Sequence, residues 1–369
     1  PYQLISVIYE EDTVQRVKAS NLFFQTPYSL DKLDTSYFLP FKASNEVPKK
    51  ILIVGSGTGN DTAAAISSGV DSIDAVEIDP VIIDLGKYHP NKPYEDQKVN
   101  VIKNDARNFI RHTNEKYDLI LYGLLDSHTS LSSNGGIRLD SYVYTVQAFE
   151  EAKKKLTKDG YISLTFGVAS KKLGIKIFRM LKKAFNDKDP TVYMYVPGAE
   201  KLDDKFFVDG DLYKKNFIEA KYTFLISNNA NKVFRFNDQS DIAKVNFFDN
   251  DEIKVSLSND DWPFFYMPVK IWPKSYVIIL ILIFVCSFLF IKKTSTLNRK
   301  NFSITCFFLG AGFMLIETKG ITEIALIYGS TWFVITIVIG FILLMAYLAN
   351  LLIIKNGQIK SSIIYFLLI

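Results

Sequence analysis

Cysteine and histidine are scarce in this 369-residue chain, and their placement removes several kinds of chemistry. The two cysteines, Cys286 and Cys306, fall within apolar stretches, so neither a disulfide framework nor a redox compartment can be read from them. His89 and His112 have no partner at ligand spacing, and no metal site is visible. One-sided charge is missing too: 43 Lys and Arg stand against 39 Asp and Glu, a net +4. That is too mild for the concentrated basic face that tracks a phosphate backbone, so no nucleic acid is expected as a partner. No Gly-Lys-Ser/Thr follows the glycines after residue 54, which argues against a P-loop. No basic-then-apolar leader follows Pro1. The closing apolar stub, residues 361–369, falls far short of the roughly 20 residues that span a bilayer. A fragment of a longer polytopic protein is therefore expected.

What the chain has in quantity is apolar residues, 48% of the total, and they are unevenly spread. Nearly all the charge precedes residue 270, and beyond it come long apolar runs broken by short basic patches. The pattern reads as a soluble domain joined to a membrane domain: an N-terminal β segment over 1–49, an α/β domain over 50–268, and transmembrane α-helices over 269–369. Residues 275–291 are apolar throughout and flanked by Lys274, Lys292 and Lys293, as suits a spanning helix with snorkelling ends. Residues 331–354 form a second expected span. Between them a short apolar run, 302–316, leads into Glu317, Thr318, Lys319 and Gly320, and then Glu323. Two readings stay open. Either one long helix carries charges in the bilayer, with Lys319 and Glu323 neutralising each other at i,i+4, or a helix ends at a solvated turn at Gly320.

Residues 50–166 alternate apolar strands with helical segments, the pattern of a parallel sheet with helices on its faces. The run Ile51-Leu-Ile-Val54 ends in Gly55-Ser-Gly57-Thr-Gly59, after which Asn60, Asp61 and Thr62 are candidate caps of an Ala-rich helix. A second strand closes on Glu77-Ile78-Asp79-Pro80, a third on Asn104-Asp105-Ala106, and a fourth on Gly123-Leu-Leu-Asp126. Polar or glycine residues thus arrive at successive carboxyl ends, where ligands bind in open α/β sheets. The dinucleotide pattern GxGxxG would need a third glycine at position 60, which is Asn60. A GxGxG loop followed one strand later by an acid suits an adenosyl ligand instead. The glycines Gly55, Gly57 and Gly59 let backbone approach the ligand, and Glu77, with Asp79 beside it, can accept ribose hydroxyls. Asp105, followed by Ala106, is placed to accept an adenine amino group. Residues 171–185 read as a basic amphipathic outer helix, and 191–196 and 222–227 as late strands. The aromatics around Trp262 suit either an interfacial belt or packing against the sheet.

These residues resemble the spermidine/spermine synthase family. The resemblance runs through Val76-Glu-Ile-Asp-Pro80, Tyr117-Asp-Leu-Ile-Leu121, and Tyr144-Thr145 with Phe149 leading to Leu156-Thr-Lys-Asp-Gly160. A membrane-fused bacterial branch of that family is resembled at Gly123-Leu-Leu-Asp-Ser-His-Thr129, Asp260-Asp-Trp-Pro-Phe-Phe-Tyr266, Gly312 to Glu323, and Gly329-Ser-Thr-Trp332. It implies a doubly wound, mostly parallel Rossmann-like methyltransferase sheet followed by C-terminal transmembrane α-helices. The implied cofactor is S-adenosylmethionine or its decarboxylated form, held at Gly55, Gly57, Gly59, Glu77, Asp79, Asp105 and Ala106. The implied activity is aminopropyl transfer, or methyl transfer if the chemistry has changed.

Two departures bear on the acceptor. The family places D-S-S-D-P after the fourth strand, the first Asp helping to activate the attacking amine; here Gly123 stands at that position and Asp126 matches the second acid. Asn21-Leu-Phe-Phe-Gln25 resembles the family's D-G-x-x-Q strand, but Tyr37-Phe38-Leu39 lacks the Tyr-His-Glu acid. These losses argue against an ordinary diamine as acceptor. Asp126 and His128, on one loop, become the candidate catalytic residues, His128 having the intrinsic pKa of a general base near neutrality.

The expected protein is an integral membrane transferase, its expected partners being a small-molecule or membrane-delivered acceptor and the lipid bilayer, with a homo-oligomer left open. The competing reading is a non-enzymatic transporter or scaffold with a nucleotide-sensing domain, motivated by Glu317, Lys319, Glu323 and the missing acids. Loop charges at Lys292, Lys293, Arg299, Lys300, Lys355 and Lys360 would make their own side cytoplasmic and put the α/β domain outside. A cofactor made in the cytoplasm outweighs that, so the α/β domain is expected on the cytoplasmic side of a bacterial inner membrane.

Overall fold

The computed structural model describes residues 5–10, 13–19, 23–24, 26–125, 142–168, 170–195, 221–236, 241–245, 253–271, 274–294, 304–329 and 331–356. The chain divides into two compact units, Pro1–Ile281 and Leu282–Ile369.

The first unit opens with a small antiparallel sheet of β1 (Ile5–Glu10), β2 (Thr13–Ala19) and β3 (Phe23–Phe24). Val17 anchors it by burial against Ile82 and Leu85. After a short α1 (Leu39–Lys42), five strands follow with helices between them. They are β4 (Lys50–Val54), α2 (Asn60–Ser67), β5 (Ser72–Glu77), α3 (Pro80–Leu85), β6 (Val99–Lys103), α4 (Ala106–His112), β7 (Tyr117–Tyr122), α5 (Val146–Lys154) and β8 (Leu156–Gly167). Next come α6 (Lys171–Ala184), β9 (Thr191–Tyr195), β10 (Lys221–Ser227) and β11 (Ile242–Val245).

These strands form one eight-stranded sheet in the order β11-β9-β10-β8-β7-β4-β5-β6. The five strands β6-β5-β4-β7-β8 pair in parallel, and β10, β9 and β11 add antiparallel pairings. Period-2 alternation sorts the side chains onto two faces. Leu52 and Val54 join Ile120, Tyr122, Ile162 and Phe149 in one core, while Ile51 and Ile53 join Leu119, Leu121, Ala64 and Ala65 in the other. Because both faces are buried, the strands read as continuous apolar runs, which is why the sequence exposed them. The sheet is the doubly wound, mostly parallel one expected. The added β11 and the full 12-residue length of β8 carried no separate signal.

Helix α6 departs from the expected solvated outer helix. Lys176 is fully buried, its ammonium donating to the carbonyls of Phe264 and Met267 at 2.8 Å each and lying 4.8 Å from the Trp262 ring centre. Helical spacing turns this lysine inward, and the returning segment 253–271 supplies its acceptors. Trp262 and Phe265 are buried, so sheet packing and not an interfacial belt accounts for them. The segment is held a second time by Arg107, 3% exposed, whose guanidinium meets Asp260 in a fork at 2.6 and 2.7 Å and Glu151 at 3.1 Å. Thr145 adds a bond to Asp260 at 2.8 Å.

The second unit is helical, and the helices around it are α7 (Lys274–Thr294), α8 (Ile304–Tyr328) and α9 (Trp332–Asn356). Of the two expected spans and the segment between them, Phe333–Leu351 is the one helix among the described residues long and apolar enough to cross a membrane by length and composition. Lys274–Phe290 is a shorter apolar helix. Helix α8 runs unbroken through Gly320, so the charges sit on one long helix and the alternative of a turn there is excluded. Lys319 and Glu323 pair at 2.5 Å, as their i,i+4 spacing implies. Gly329, at φ 94°, ends α8 with its N–H on Ala325 O at 2.9 Å.

Two tests follow from the clamps on 253–271. Arg107→Ala removes the cation facing Asp260, leaves Glu151 with Arg111 alone, and is expected to cost about 3 kcal/mol in urea unfolding of the full chain. Burial pulls the Lys176 ammonium down to about 7 from its usual 10.5. Between those values the unfolded chain binds the proton and the folded chain does not, so this group adds stability as pH rises and withdraws it as pH falls toward 7. Lys176→Met should therefore gain on the wild type as urea midpoints are taken from pH 10 down to pH 7.

Candidate functional site

Strand β4 lies between β5 and β7, so the strand order reverses at its carboxyl end, where an open α/β sheet forms its ligand crevice. The loop leaving it holds Gly55, Gly57 and Gly59 at φ 71°, 58° and 108°, a region that L side chains rarely enter. Close approach adds to the demand: a Cβ on Gly55 would sit 1.9 Å from Leu125 Cδ1, and one on Gly59 2.7 Å from Pro93 Cγ. The N–H groups of Gly55 and Ser56 both donate to Val76 O at 2.9 Å, tying the loop to β5. Tyr94 seals it from the other side, its hydroxyl donating to Gly57 O at 2.6 Å and lying 2.9 Å from Ser56 Oγ.

Glu77 is the centre of this arrangement. Its carboxylate accepts from Gly57 N–H and Asp79 N–H, each at 3.0 Å, so the last residue of β5 is fastened to the glycine loop. Burial pushes the carboxyl above its ordinary range, against the pull of these amides. An ionised carboxylate has roughly four acceptor sites, so acceptor capacity remains for a ribose hydroxyl.

The other candidate residues fall around the same edge in distinct roles. Asp79 is 1% exposed and caps α3, accepting from Val81 N–H at 2.9 Å. Asp105, at the end of β6, caps α4 through Asn108 N–H at 2.9 Å, and Ala106 is the first residue of that helix. Asp126 and His128 lie outside the described residues.

The helix after the loop starts differently from the expectation. Gly59, left-handed, is the residue before α2, so Asn60, Asp61 and Thr62 lie in its first turn and do not cap it. The Asn60 side chain faces the N-terminal segment and that of Asp61 faces Gly123 after β7. Asn60 accepts from Tyr28 N–H and donates to Thr26 O, both at 2.9 Å. His89 reaches Asn60 Oδ1 at 3.2 Å with Nε2, while its Nδ1 accepts from Asn91 N–H at 3.1 Å. The ring proton therefore sits on Nε2. Burial pulls His89 down to about 4, which keeps it neutral and makes it a positioning residue for the loop.

Asp61 is the residue that sequence reasoning missed. A Cβ on Gly123 would lie 2.3 Å from its Oδ2, so its carboxylate occupies the space a side chain at 123 would take. Burial pushes its carboxyl up to about 7; Lys221 pulls it down and Asp34 pushes it up. Lys221 is ion-paired with Asp34 and lies 5.2 Å from the Tyr37 ring centre. Asp34 and Lys221 are 187 residues apart, and nothing in their local sequence signals the meeting. Asp61 itself reads as an ordinary helix-start residue. Its one available clue was Gly123, where a larger side chain is missing.

Comparison with known proteins follows the same residues. The spermine/spermidine synthase domain family matches residues 39–230, more than half of the chain. A polyamine aminopropyltransferase of Korarchaeum cryptofilum is 28% identical over 165 residues, covering 43% of this chain and 48% of the relative. One from Buchnera aphidicola is 32% identical over 146 residues, covering 38% and 48%. The chain thus spans about half the length of these curated relatives. Spermidine synthase from Thermotoga maritima superposes with a TM-score of 0.43 at 16% identity, covering 71% of this chain and 79% of that one. A putative SAM-dependent methyltransferase from Streptococcus mutans gives 0.40 at 15%, covering 61% and 55%. Both scores are low, and the assignment rests on the sequence match across the glycine loop, the β5 acid and the sheet that carries them: the chain belongs to the spermine/spermidine synthase domain family.

Proposed function

We propose that this chain is a membrane-integrated transferase of the aminopropyltransferase type, taking its group from decarboxylated S-adenosylmethionine and passing it to an amine. The observation that carries the reading is Glu77, a buried carboxylate fixed by two backbone amides against a loop of three left-handed glycines. An adenosyl group fits this donor and acceptor set: loop backbone can approach it without Cβ atoms, and Glu77 keeps capacity for a ribose hydroxyl. Gly55, Gly57, Gly59 and Glu77 would hold the nucleoside, with Asp79, Asp105 and Ala106 shaping the adjoining strand ends. When bound, the sulfonium supplies an already activated leaving group, so alignment of the nucleophile provides much of the rate. Asp126 and His128 remain proposed members of the acceptor side. Preference for intact S-adenosylmethionine would instead mark methyl transfer.

Membrane integration is part of the proposal. It is supported by the apolar helix Phe333–Leu351 and by outward-facing apolar side chains along α8 and α9, among them Leu315, Ile316, Phe341 and Met345. The pairing of Lys319 with Glu323 lowers the cost of charge in such a setting. An acceptor delivered from the bilayer would account for joining this helical segment to a transferase domain. The α/β domain is placed on the cytoplasmic side, where the sulfonium nucleoside is made.

Calorimetric titration with S-adenosylmethionine, its decarboxylated form and methylthioadenosine tests the nucleotide reading. The decarboxylated form should bind more tightly than the intact one. Glu77→Gln, which keeps the side-chain shape, should weaken binding roughly 10- to 100-fold, the worth of one charge-assisted hydrogen bond. No binding by the wild type would overturn the transferase in favour of a scaffold or transporter. In a membrane preparation the chain should resist alkaline carbonate and be released by detergent; release by carbonate alone would overturn integration.

A further inference from the structure

The group-transfer reading leaves its acceptor side without an acid at Gly123. A primary amine is an ammonium ion at neutral pH, with no lone pair to donate. A site that uses one must first hold a cation and then take a proton from it. The described residues contain a group placed for both tasks, and it comes from a different element.

Asp61 projects from the first turn of α2 into the space above Gly123, at the carboxyl end of β7 and beside the glycine loop. It is largely buried and only partly exposed. Among the described residues its carboxylate accepts no hydrogen bond, unlike Glu77, Asp79 and Asp105. The groups acting on it are Lys221 from β10, Asp34 from the segment before α1, and the phenols Tyr37 and Tyr94, both of which feel its charge. Lys221 is already ion-paired with Asp34 and faces the rings of Tyr37 and Tyr195, so a cation is not bound to Asp61 directly. Gly123 is what gives Asp61 its place: any side chain there would collide with the carboxylate.

We propose that Asp61 is the catalytic acid-base group of the acceptor site, its carboxylate standing where a side chain at Gly123 would be and there holding a primary ammonium and accepting its proton. In that step an N–H bond of the ammonium breaks and an O–H bond forms on the Asp61 carboxylate. The nitrogen keeps the electron pair and becomes nucleophilic. The acid is retained by a change of address, from the end of β7 to the start of α2. The acceptor class is a primary amine, and the missing acid at 123 no longer argues against it.

The inference rests on the transferase reading, and its test separates the two. The full chain, saturated with methylthioadenosine, is titrated with 1,4-diaminobutane by calorimetry between pH 6 and pH 8. With the Asp61 carboxyl near 7, the ionised fraction rises about tenfold over this range while the amine stays charged, so wild-type affinity should rise about tenfold. Asp61→Asn should lose at least tenfold at pH 8 and lose the pH dependence, and Asp61→Glu should recover part of both. Gly123→Ala, whose new methyl displaces the carboxylate, should weaken amine binding and leave methylthioadenosine binding intact. Thermal melts at pH 8 should show Asp61→Asn at least as stable as the wild type, because a desolvated charge has been removed. Should that variant not fold, the wild-type pH profile and Gly123→Ala decide. Equal amine affinity in wild type and Asp61→Asn, or no pH dependence, would overturn the role of Asp61 while nucleoside binding kept the transferase reading. Failure to bind methylthioadenosine would overturn both.

Discussion

The contact between the Glu77 carboxylate and the amides of Gly57 and Asp79 is the constraint on which the carboxyl edge of the sheet depends. It joins the end of β5 to the loop that leaves β4, and so fixes the floor and one wall of the crevice together. Burying an acid this way is costly unless it is hydrogen-bonded, and the two amides meet that requirement. Positive φ at three glycines shapes the loop that brings the Gly57 amide to it. A side chain at Gly55 or Gly59 would displace Leu125 or Pro93, so the loop has little freedom to be built from other residues.

A second set of contacts fixes what lies beyond the sheet. Segment 253–271 returns across the domain and is fastened by two buried basic side chains, Arg107 through Asp260 and Lys176 through two backbone carbonyls. In the aromatic run there, Trp262 lies beside the Lys176 amine and Phe265 packs into the core on the sheet. The chain that leads on to the apolar helix α7 is therefore anchored to the α/β core by directional bonds as well as by apolar burial.

Much of the fold was legible because its signals are local. Apolar runs bounded by glycine, proline or acid marked β4 to β7, and the glycine loop with Glu77 one strand later marked the carboxyl edge of the sheet where those two meet. Family resemblance carried the rest of the α/β domain. What escaped depended on long-range geometry. Lys176 sits on an amphipathic helix whose lysines otherwise face solvent, and only the returning chain shows why it is buried. Asp61 reads as a cap until Gly59 is found to start the helix, which leaves Asp61 to face β7. The absence of a side chain at Gly123 was visible, and the approach of the Asp61 carboxylate to it was not. Asp126 and His128 lie outside the described residues and keep the standing the sequence assigned them.

The central claim is that Glu77 recognises the ribose of an adenosyl ligand at the glycine loop. The most direct measurement compares the affinity of the full chain for 5′-methylthioadenosine with that for its 2′,3′-dideoxy counterpart. Loss of the hydroxyls should weaken binding by roughly 10- to 100-fold, as expected for hydrogen bonds to a buried carboxylate. Equal affinity for the two nucleosides would contradict the account, because Glu77 would then be a structural tie and nothing more.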